Sequence, residues 1–390
     1  MTDVTIVGAG PVGLLTALGL GRAGFDVEVI DAAPGVNTAP RAMSYTWAVF
    51  ADLEKLGVLD DLLAAGLRDD ARSWRVRRTG ETIVFDFSAL RPYTDRAYGL
   101  TLGQDRLSDV VLGHIARIDN ITIRWSTAFT GLRQTPEAIV VSAESPEGPV
   151  EIVAPWLIGC DGGRSAVRKS LDLPFAGITF PHRFVATNIH YDFDSHGWLS
   201  GYLIDPEFGA IVAKIAGDDL WRVTFAEDAS LPHEGMEKRI TRFIEEILPG
   251  SKDFDLAAWT PYNMHQRTAP TYRVGRVLLA GDAAHVTNPT SGLGLMGGML
   301  DGFALCEALV AVLSGRADDT ILDRYSDARR AVFTQQTSPI SVRSMNLVFH
   351  SHDETELERS LAWGRRLMAD PDAMGQYLAA AITLRTPSLV

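Results

Sequence analysis

Cysteine is almost missing from this chain, with 2 in 390 residues. Cys160 and Cys306 cannot build a disulfide framework and fit a reducing, cytoplasmic compartment. Positive charge is also short: 36 Lys and Arg stand against 49 Asp and Glu, a formal charge of −13. An acidic chain without a basic run has no electrostatic footprint for nucleic acid, whose binding draws on phosphate neutralisation. The N-terminal MTDVTIVGAG has no basic segment and does not read as a secretory leader. No apolar run is expected to approach the roughly 20 residues that span a bilayer, so no membrane partner is expected. Repeats, low-complexity tracts and Ser-His-Asp or Cys-His signatures are missing too, and Cys160 reads as a small core residue. What is present is ordinary globular material, 46% hydrophobic and 22% charged. At roughly 150 residues per domain it would fill two or three lobes.

Residues 3–8 form a short β-branched run that stops at glycine. Gly8-Ala9-Gly10-Pro11-Val12-Gly13 follows, then a helical pattern, then a second apolar run ending at Asp31. Strand, Gly-X-Gly-X-X-Gly turn, helix, strand and terminal acid stand in register within about 30 residues, the context a dinucleotide site requires. Gly8 and Gly10 let the backbone approach a pyrophosphate, and Gly13 lets helix pack on strand. The helix N-terminus at Pro11 and Val12 offers free N–H groups to phosphate. Asp31 stands where a carboxylate would accept from the adenosine ribose. These residues alone leave FAD and NAD(P) both open.

Two later segments narrow the choice. One is 154–168, a short strand breaking at Cys160-Asp161-Gly162-Gly163 into a helix with two arginines. The other is 276–298, a buried-type strand ending at Gly281-Asp282, followed by His285, Pro289 and the glycines Gly292, Gly294, Gly297 and Gly298. With the opening glycines, Asp31, Pro40-Arg41-Ala42, and Gln104 followed by Leu107, these segments resemble the fingerprints of the single-component FAD-dependent aromatic hydroxylases. The p-hydroxybenzoate hydroxylase-like flavoprotein monooxygenases typify that family. The resemblance spans roughly residues 3–345.

The resemblance implies a role for each matching position. Arg41 and Gln104 would line the pyrophosphate and ribityl path. Asp161 would support FAD and the transient NAD(P)H site. Gly281 and Asp282 would meet the ribityl chain, and Pro289 would lie beside the reactive edge of the flavin ring. Gly292, Gly294, Leu295 and Met296 would offer backbone contacts, although Met296 stands where relatives often carry Asn. The Gly292–Gly297 spacing also matches Gly-X-Gly-X-X-Gly, but its strand ends some 12 residues upstream and no strand with a terminal acid follows. It reads instead as a helix N-terminus aimed at the flavin pyrimidine edge, where a helix dipole stabilises the anionic reduced ring.

Between the motifs the sequence turns to β signals. Residues 74–78 and 83–87 flank Thr79-Gly80-Glu81 as a hairpin, and 183–227 alternates strands with polar turns at 205–207 and 217–219. Residues 235–249 read as helical, 319–338 as a helix stopped by Pro339, and 354–382 as a helical tail. The expected fold is α/β: a Rossmann-like FAD-binding domain (1–73, 97–180 and 268–345), an inserted antiparallel-sheet substrate domain (74–96 and 181–267), and a helical C-terminal segment (346–390). His190, Asp192, Asp194 and His196 would share one face of a strand over 188–196. Alternation with Ile189, Tyr191 and Phe193 favours a solvated face over a metal site, because adjacent strand positions fan apart. No metal is assigned. His285 reads as a residue that orients its turn.

The resulting expectation is an NAD(P)H- and O2-consuming monooxygenase, a monomer or homodimer. In this family oxygen passes to an electron-rich aromatic or heteroaromatic ring from a flavin C4a-hydroperoxide. Pro289, Tyr202 and Arg222 are the candidate catalytic positions, with Trp221 also on the presumed roofing strands. A halogenase, epoxidase or reductase on the same FAD fold, or a non-catalytic relative, is the alternative; the halogenase Gly-Trp-X-Trp-X-Ile-Pro signature is missing, since only Gly197-Trp198 occurs.

Overall fold

The computed structural model describes residues 2–215, 217 and 219–390. Asp218, in the expected 217–219 turn, lies outside the described residues. Val4–Val7 is wholly buried and pairs in parallel with Trp156–Gly159 on one side and Val27–Ile30 on the other. A β-branched run buried on both faces is what a central parallel strand needs. Val277–Leu279 and Ile121–Arg124 extend the parallel sheet, and antiparallel Arg273–Val274 makes a sixth strand at one edge. Sterics set the turn after Val4–Val7. Gly8 sits at φ +107°, where a Cβ would lie 2.4 Å from the Cys160 carbonyl oxygen, and a Cβ on Gly13 would lie 1.9 Å from the Gly8 carbonyl oxygen.

Helix Leu293–Leu313 packs across helix Pro11–Arg22 behind this sheet. Gly298 and Gly302 make the close approach possible, since a Cβ on either would press to 2.8 and 2.7 Å on Val12 and Thr16. This helix corrects the expectation about apolar runs, because its 21 residues with mean hydropathy 1.7 are long and apolar enough to cross a membrane. It is apolar because it runs through the protein core, and it carries the fully buried Asp301 in an ionic network.

The second sheet has eight strands. The expected hairpin is Ala71–Val76 paired with Thr82–Asp86, and the 183–227 region supplies Ala176–His190, Gly201–Ile204, Ala210–Lys214 and Leu220–Asp228. Pairing is antiparallel throughout, except where Gly201–Ile204 meets Ala71–Val76 in parallel. Helix Met236–Ile247, within the expected 235–249, covers one face. Its Ile240, Phe243 and Ile244 pack with Val185, Ile189, Trp221, Val223 and Phe225. The opposite face is shared by the cavity and by Met345, Val348 and Phe349, which pack on Phe184 and Met264.

Two further expectations need correcting. The strand expected over 188–196 ends at His190, and Asp194–His196 forms a 3-10 turn. Tyr191 and Phe193 still turn inward, but the turn gathers the exposed carboxylates of Asp192, Asp194 and Asp219 rather than a line of His and Asp. Pro339 does not stop a helix: Ile321–Val332 passes through a π-helical turn, Phe333–Thr337, into Ser338–Phe349. The π turn breaks the i−4 register just where proline has no N–H to give. The tail is helical as expected, with Glu354–Ala369 and Pro371–Ala379 capped by the side chains of Asp353 and Asp370.

Candidate active site

The two sheets face each other across a cavity of about 1670 Å³. That exceeds the roughly 300–1,000 Å³ of a single-ligand pocket, so there is room for a dinucleotide and a second molecule.

One wall is backbone. Gly8, Gly10, Pro11 and Val12 line it, while Gly13 stands behind as packing. A Cβ on Gly10 would meet no protein atom within 4 Å, so that position is open toward the cavity rather than closed by the fold. Helix Pro11–Arg22 starts without a side-chain cap and without an acid in its first turn. The same holds for Leu293–Leu313, which begins after Gly292 at φ +66°. Two uncapped helix N-termini thus address one cavity, each with free N–H groups suited to negative charge.

The acids on this wall differ in how they are held. Asp31 accepts from Ala9 N (2.7 Å) and Ala33 N (2.8 Å), which ties the glycine turn to the strand end. Asp282 is exposed to the cavity and accepts no protein hydrogen bond among the described residues. The protein enclosing the cavity desolvates its carboxyl and raises it above the usual range, with His285 and Arg41 pulling the other way. Asp161 lines the cavity while its carboxylate accepts from Ser165 Oγ (2.5 Å), Ala166 N (2.7 Å) and Val167 N (3.1 Å), heading the helix that follows. Tertiary structure joins Gln104 to Arg41, since Gln104 N donates to the Ala42 carbonyl (3.0 Å) and both residues line the cavity. Pro289, Gly292, Gly294, Leu295 and Met296 complete the wall. The Met296 sulfur accepts from Thr46 N (3.4 Å) and Oγ1 (3.5 Å).

Gly281 stands behind this wall, and its N–H donates to Asp301 (3.0 Å). Asp301 also receives His285 Nε2 (2.7 Å) and Arg329 Nε (2.7 Å), and Arg329 reaches on to the Leu384 carbonyl. Burial alone would raise the Asp301 carboxyl, but His285 and Arg329 overcome it and hold it below the usual range. His285 lies 2% exposed behind the Gly281-Asp282 turn, in an orienting position.

The opposite wall is side chain, and register decides its membership. Trp74 pairs with Tyr202, Tyr202 with Ile211, Ile211 with Thr224, and Ala213 with Arg222, all lining the cavity. Trp221 has the opposite parity and is a 1% exposed core residue, which removes it as a candidate. Period-2 alternation could have separated it from Arg222 in the sequence. The Tyr202 hydroxyl donates to the Thr290 carbonyl (2.9 Å), next to Pro289, and burial raises its pKa. Arg222 is 5% exposed with no carboxylate partner; its Nε donates to Asn188 Oδ1 (2.9 Å) and its Nη1 to the Arg41 carbonyl. Burial lowers its pKa.

Sequence reasoning missed Arg72, Tyr262 and Tyr377 on this wall. Desolvation pushes the half-buried Tyr262 up to about 12, while Tyr377 is 43% exposed. Nothing in the sequence signals that Tyr377, from the tail, returns to the site.

Backbone donors on one wall and an aromatic, arginine-bearing sheet on the other define a site of the flavoprotein monooxygenase class. The model of the family described as FAD binding domain matches residues 1–338. The chain is 42% identical over 388 residues to 6-hydroxy-3-succinoylpyridine 3-monooxygenase HspB of Pseudomonas putida (strain DSM 28022 / S16), covering 98% of each. It superposes on the crystal structure of p-nitrophenol 4-monooxygenase PnpA from Pseudomonas putida DLL-E4 with a TM-score of 0.95 at 36% identity, over 98% of both chains. It also matches aklavinone-11 hydroxylase in complex with FAD and aklavinone (TM-score 0.79, 30% identity, 90% of this chain and 70% of that one). The chain belongs to this FAD-binding family and is an FAD-dependent aromatic monooxygenase that works with O2 and a reduced nicotinamide.

Proposed function

We propose that the chain hydroxylates an electron-rich phenol or hydroxylated heteroaromatic ring held between its two sheets. The observation that carries this reading is the asymmetry of the cavity: phosphate-type donors on one wall, aromatic surface on the other. The discontinuous segments 1–73, 97–180 and 268–345 act as the FAD lobe, 74–96 with 181–267 as the cover, and 346–390 as a helical flank. Gly8 to Gly13 and the helix after them hold the pyrophosphate, and Asp31 accepts from the adenosine ribose. Arg41 and Gln104 flank the path to the ribityl chain, which Asp282 receives. The N–H groups at Gly292–Met296 face the pyrimidine edge, with Arg222 adding charge from the sheet. Bound FAD supplies the transfer of electrons from NAD(P)H to O2; the protein supplies orientation and exclusion of water.

Tyr202 is fixed by the Thr290 carbonyl at the edge of the Pro289 turn. There its hydroxyl orients the ring hydroxyl and holds a proton in place as the ring becomes more nucleophilic. A cytoplasmic setting fits two half-buried, free cysteines, Cys160 and Cys306. Monomer and homodimer are distinguished by light scattering. The deciding experiment screens the purified yellow protein for NADH and NADPH oxidation with phenols, pyridines and quinolones, and assays for a product one oxygen atom heavier. Nicotinamide oxidation with no oxygenated product from any ring would sink the reading.

A further inference from the structure

At the aromatic end of the cavity stands a cation that the roles above do not use. Arg72 lies on the same sheet face as Trp74 and Tyr202, opposite Phe85 in the hairpin. Its Nη2 donates to Asp69 Oδ2 (2.6 Å), which also accepts from Thr101 Oγ1 (2.7 Å), so the guanidinium is pinned in one orientation. Its Nε is buried with no acceptor among the described residues. Arg267 also lines the cavity with a buried Nε that meets no acceptor among the described residues, but it pairs with Val286 near the opposite edge of the sheet from Arg72. Arg183 is paired with Glu227 and the Leu231 carbonyl, and Arg222 is bonded to Asn188 and Arg41. The acids that line the cavity, Asp31, Asp161 and Asp282, all stand on the backbone wall.

A buried donor without an acceptor, in a pocket of rings, is a place where a ligand supplies the acceptor. We propose that Arg72 determines specificity: its guanidinium, held by Asp69 and Thr101 as positioning residues, receives the anionic oxygen of an aromatic substrate. The inference rests on the hydroxylase reading of this cavity and deepens it by naming the substrate's charge. The oxygen belongs to a phenolate or to a carboxylate borne by the ring, since a planar fork of donors recognises either. Trp74, Phe85 and Phe87 supply the apolar surround. The ionisable groups around the fork are Asp69, Tyr98, Tyr202 and Tyr377, with Arg68 stacked beyond Tyr98 at 4.3 Å. Burial raises Tyr202 while Arg72 draws it down, so the guanidinium favours negative charge at this end of the cavity.

The test is equilibrium binding to the FAD-loaded enzyme, read from the flavin spectrum, with p-nitrophenol, benzoate and neutral p-nitroanisole as probes. The colour of bound nitrophenol reports its ionisation directly. Wild type is expected to bind at least one anion more tightly than the anisole, and nitrophenol as the yellow phenolate. Arg72→Gln should weaken the anion by roughly tenfold or more while leaving the anisole unchanged. Arg72→Lys should restore part of the preference, and Asp69→Asn should lose part of it. The arm that collapses, nitrophenol or benzoate, identifies the oxygen's source. Equal losses for charged and neutral probes, or no wild-type preference for an anion, overturn the proposal. If Arg72→Gln does not fold, the Arg72→Lys anion-to-neutral ratio decides, and an unchanged ratio overturns it. Oxygenated product from wild type is scored separately, so anion selectivity without product sinks the hydroxylase reading and leaves Arg72's role standing.

Discussion

The two walls of the cavity are built by opposite means. The backbone wall recognises through N–H groups, so its requirements fall on glycines and helix starts close together in sequence. The sheet wall recognises through side chains brought together by strand register from residues as distant as Arg72, Tyr202 and Arg222. The difference teaches where each wall is vulnerable: the first to an added atom, the second to a lost one.

The sharpest break is Gly10→Val. No protein atom opposes a Cβ there, so the chain should fold yet purify colourless, having lost FAD binding. Gly13→Val, aimed at the Gly8 carbonyl, should fail to fold instead. Absorbance and circular dichroism separate them, and a yellow Gly10→Val protein would show that the wall has been misread.

Next in size is the network behind the backbone wall. Asp301→Asn strands the buried Arg329 and should cost about 3–5 kcal/mol, read by chemical denaturation. Because the folded Asp301 carboxyl is held below its ordinary 3.8, its contribution is present above that value. It is lost as pH falls through the lowered folded value, so acid should narrow the gap between wild type and mutant. A gap that stays constant down through this range would count against an ionised Asp301.

Asp282→Ala tests an acid on this wall that no donor among the described residues satisfies. Losing charged hydrogen bonds to a ribityl chain should weaken FAD by about 1.5–3 kcal/mol per bond, roughly ten- to hundredfold, in a fluorescence titration. Unchanged affinity would remove Asp282 from the site.

The smallest effect on binding should come from the other wall. Tyr202→Phe removes one hydrogen bond, about 0.5–1.5 kcal/mol of stability, and should leave FAD affinity intact. The fraction of NAD(P)H that yields hydroxylated product should nevertheless fall, with hydrogen peroxide rising. If only the melting temperature drops, Tyr202 is an ordinary sheet residue.

Legibility followed the same divide. The glycine turn, Asp31, the Gly281-Asp282 turn and the helix after Gly292 were readable because each is a local solution to a local steric demand. Asp161 matched its motif, yet its carboxylate serves Ser165 and the helix beyond, a competition that spacing does not display. The helix after Gly292 was readable, but not the length of its apolar run, because glycines and Asp301 interrupt it, although Gly297, Gly298, Gly302 and Asp301 are all buried.

The sequence by itself determined the half of the protein that carries the glycine turn, since strand, turn and helix there are consecutive and the cavity wall they form is backbone. It also determined the parity that separates Arg222 from Trp221. Only the tertiary structure decided the ring-binding half. There the parallel pairing of Gly201–Ile204 with Ala71–Val76 sets Arg72 and Trp74 beside Tyr202, and the tail carries Tyr377 back to the same cavity. Strand pairing and helix docking depend on burial summed over distant segments, so no local pattern encodes which side chains will meet.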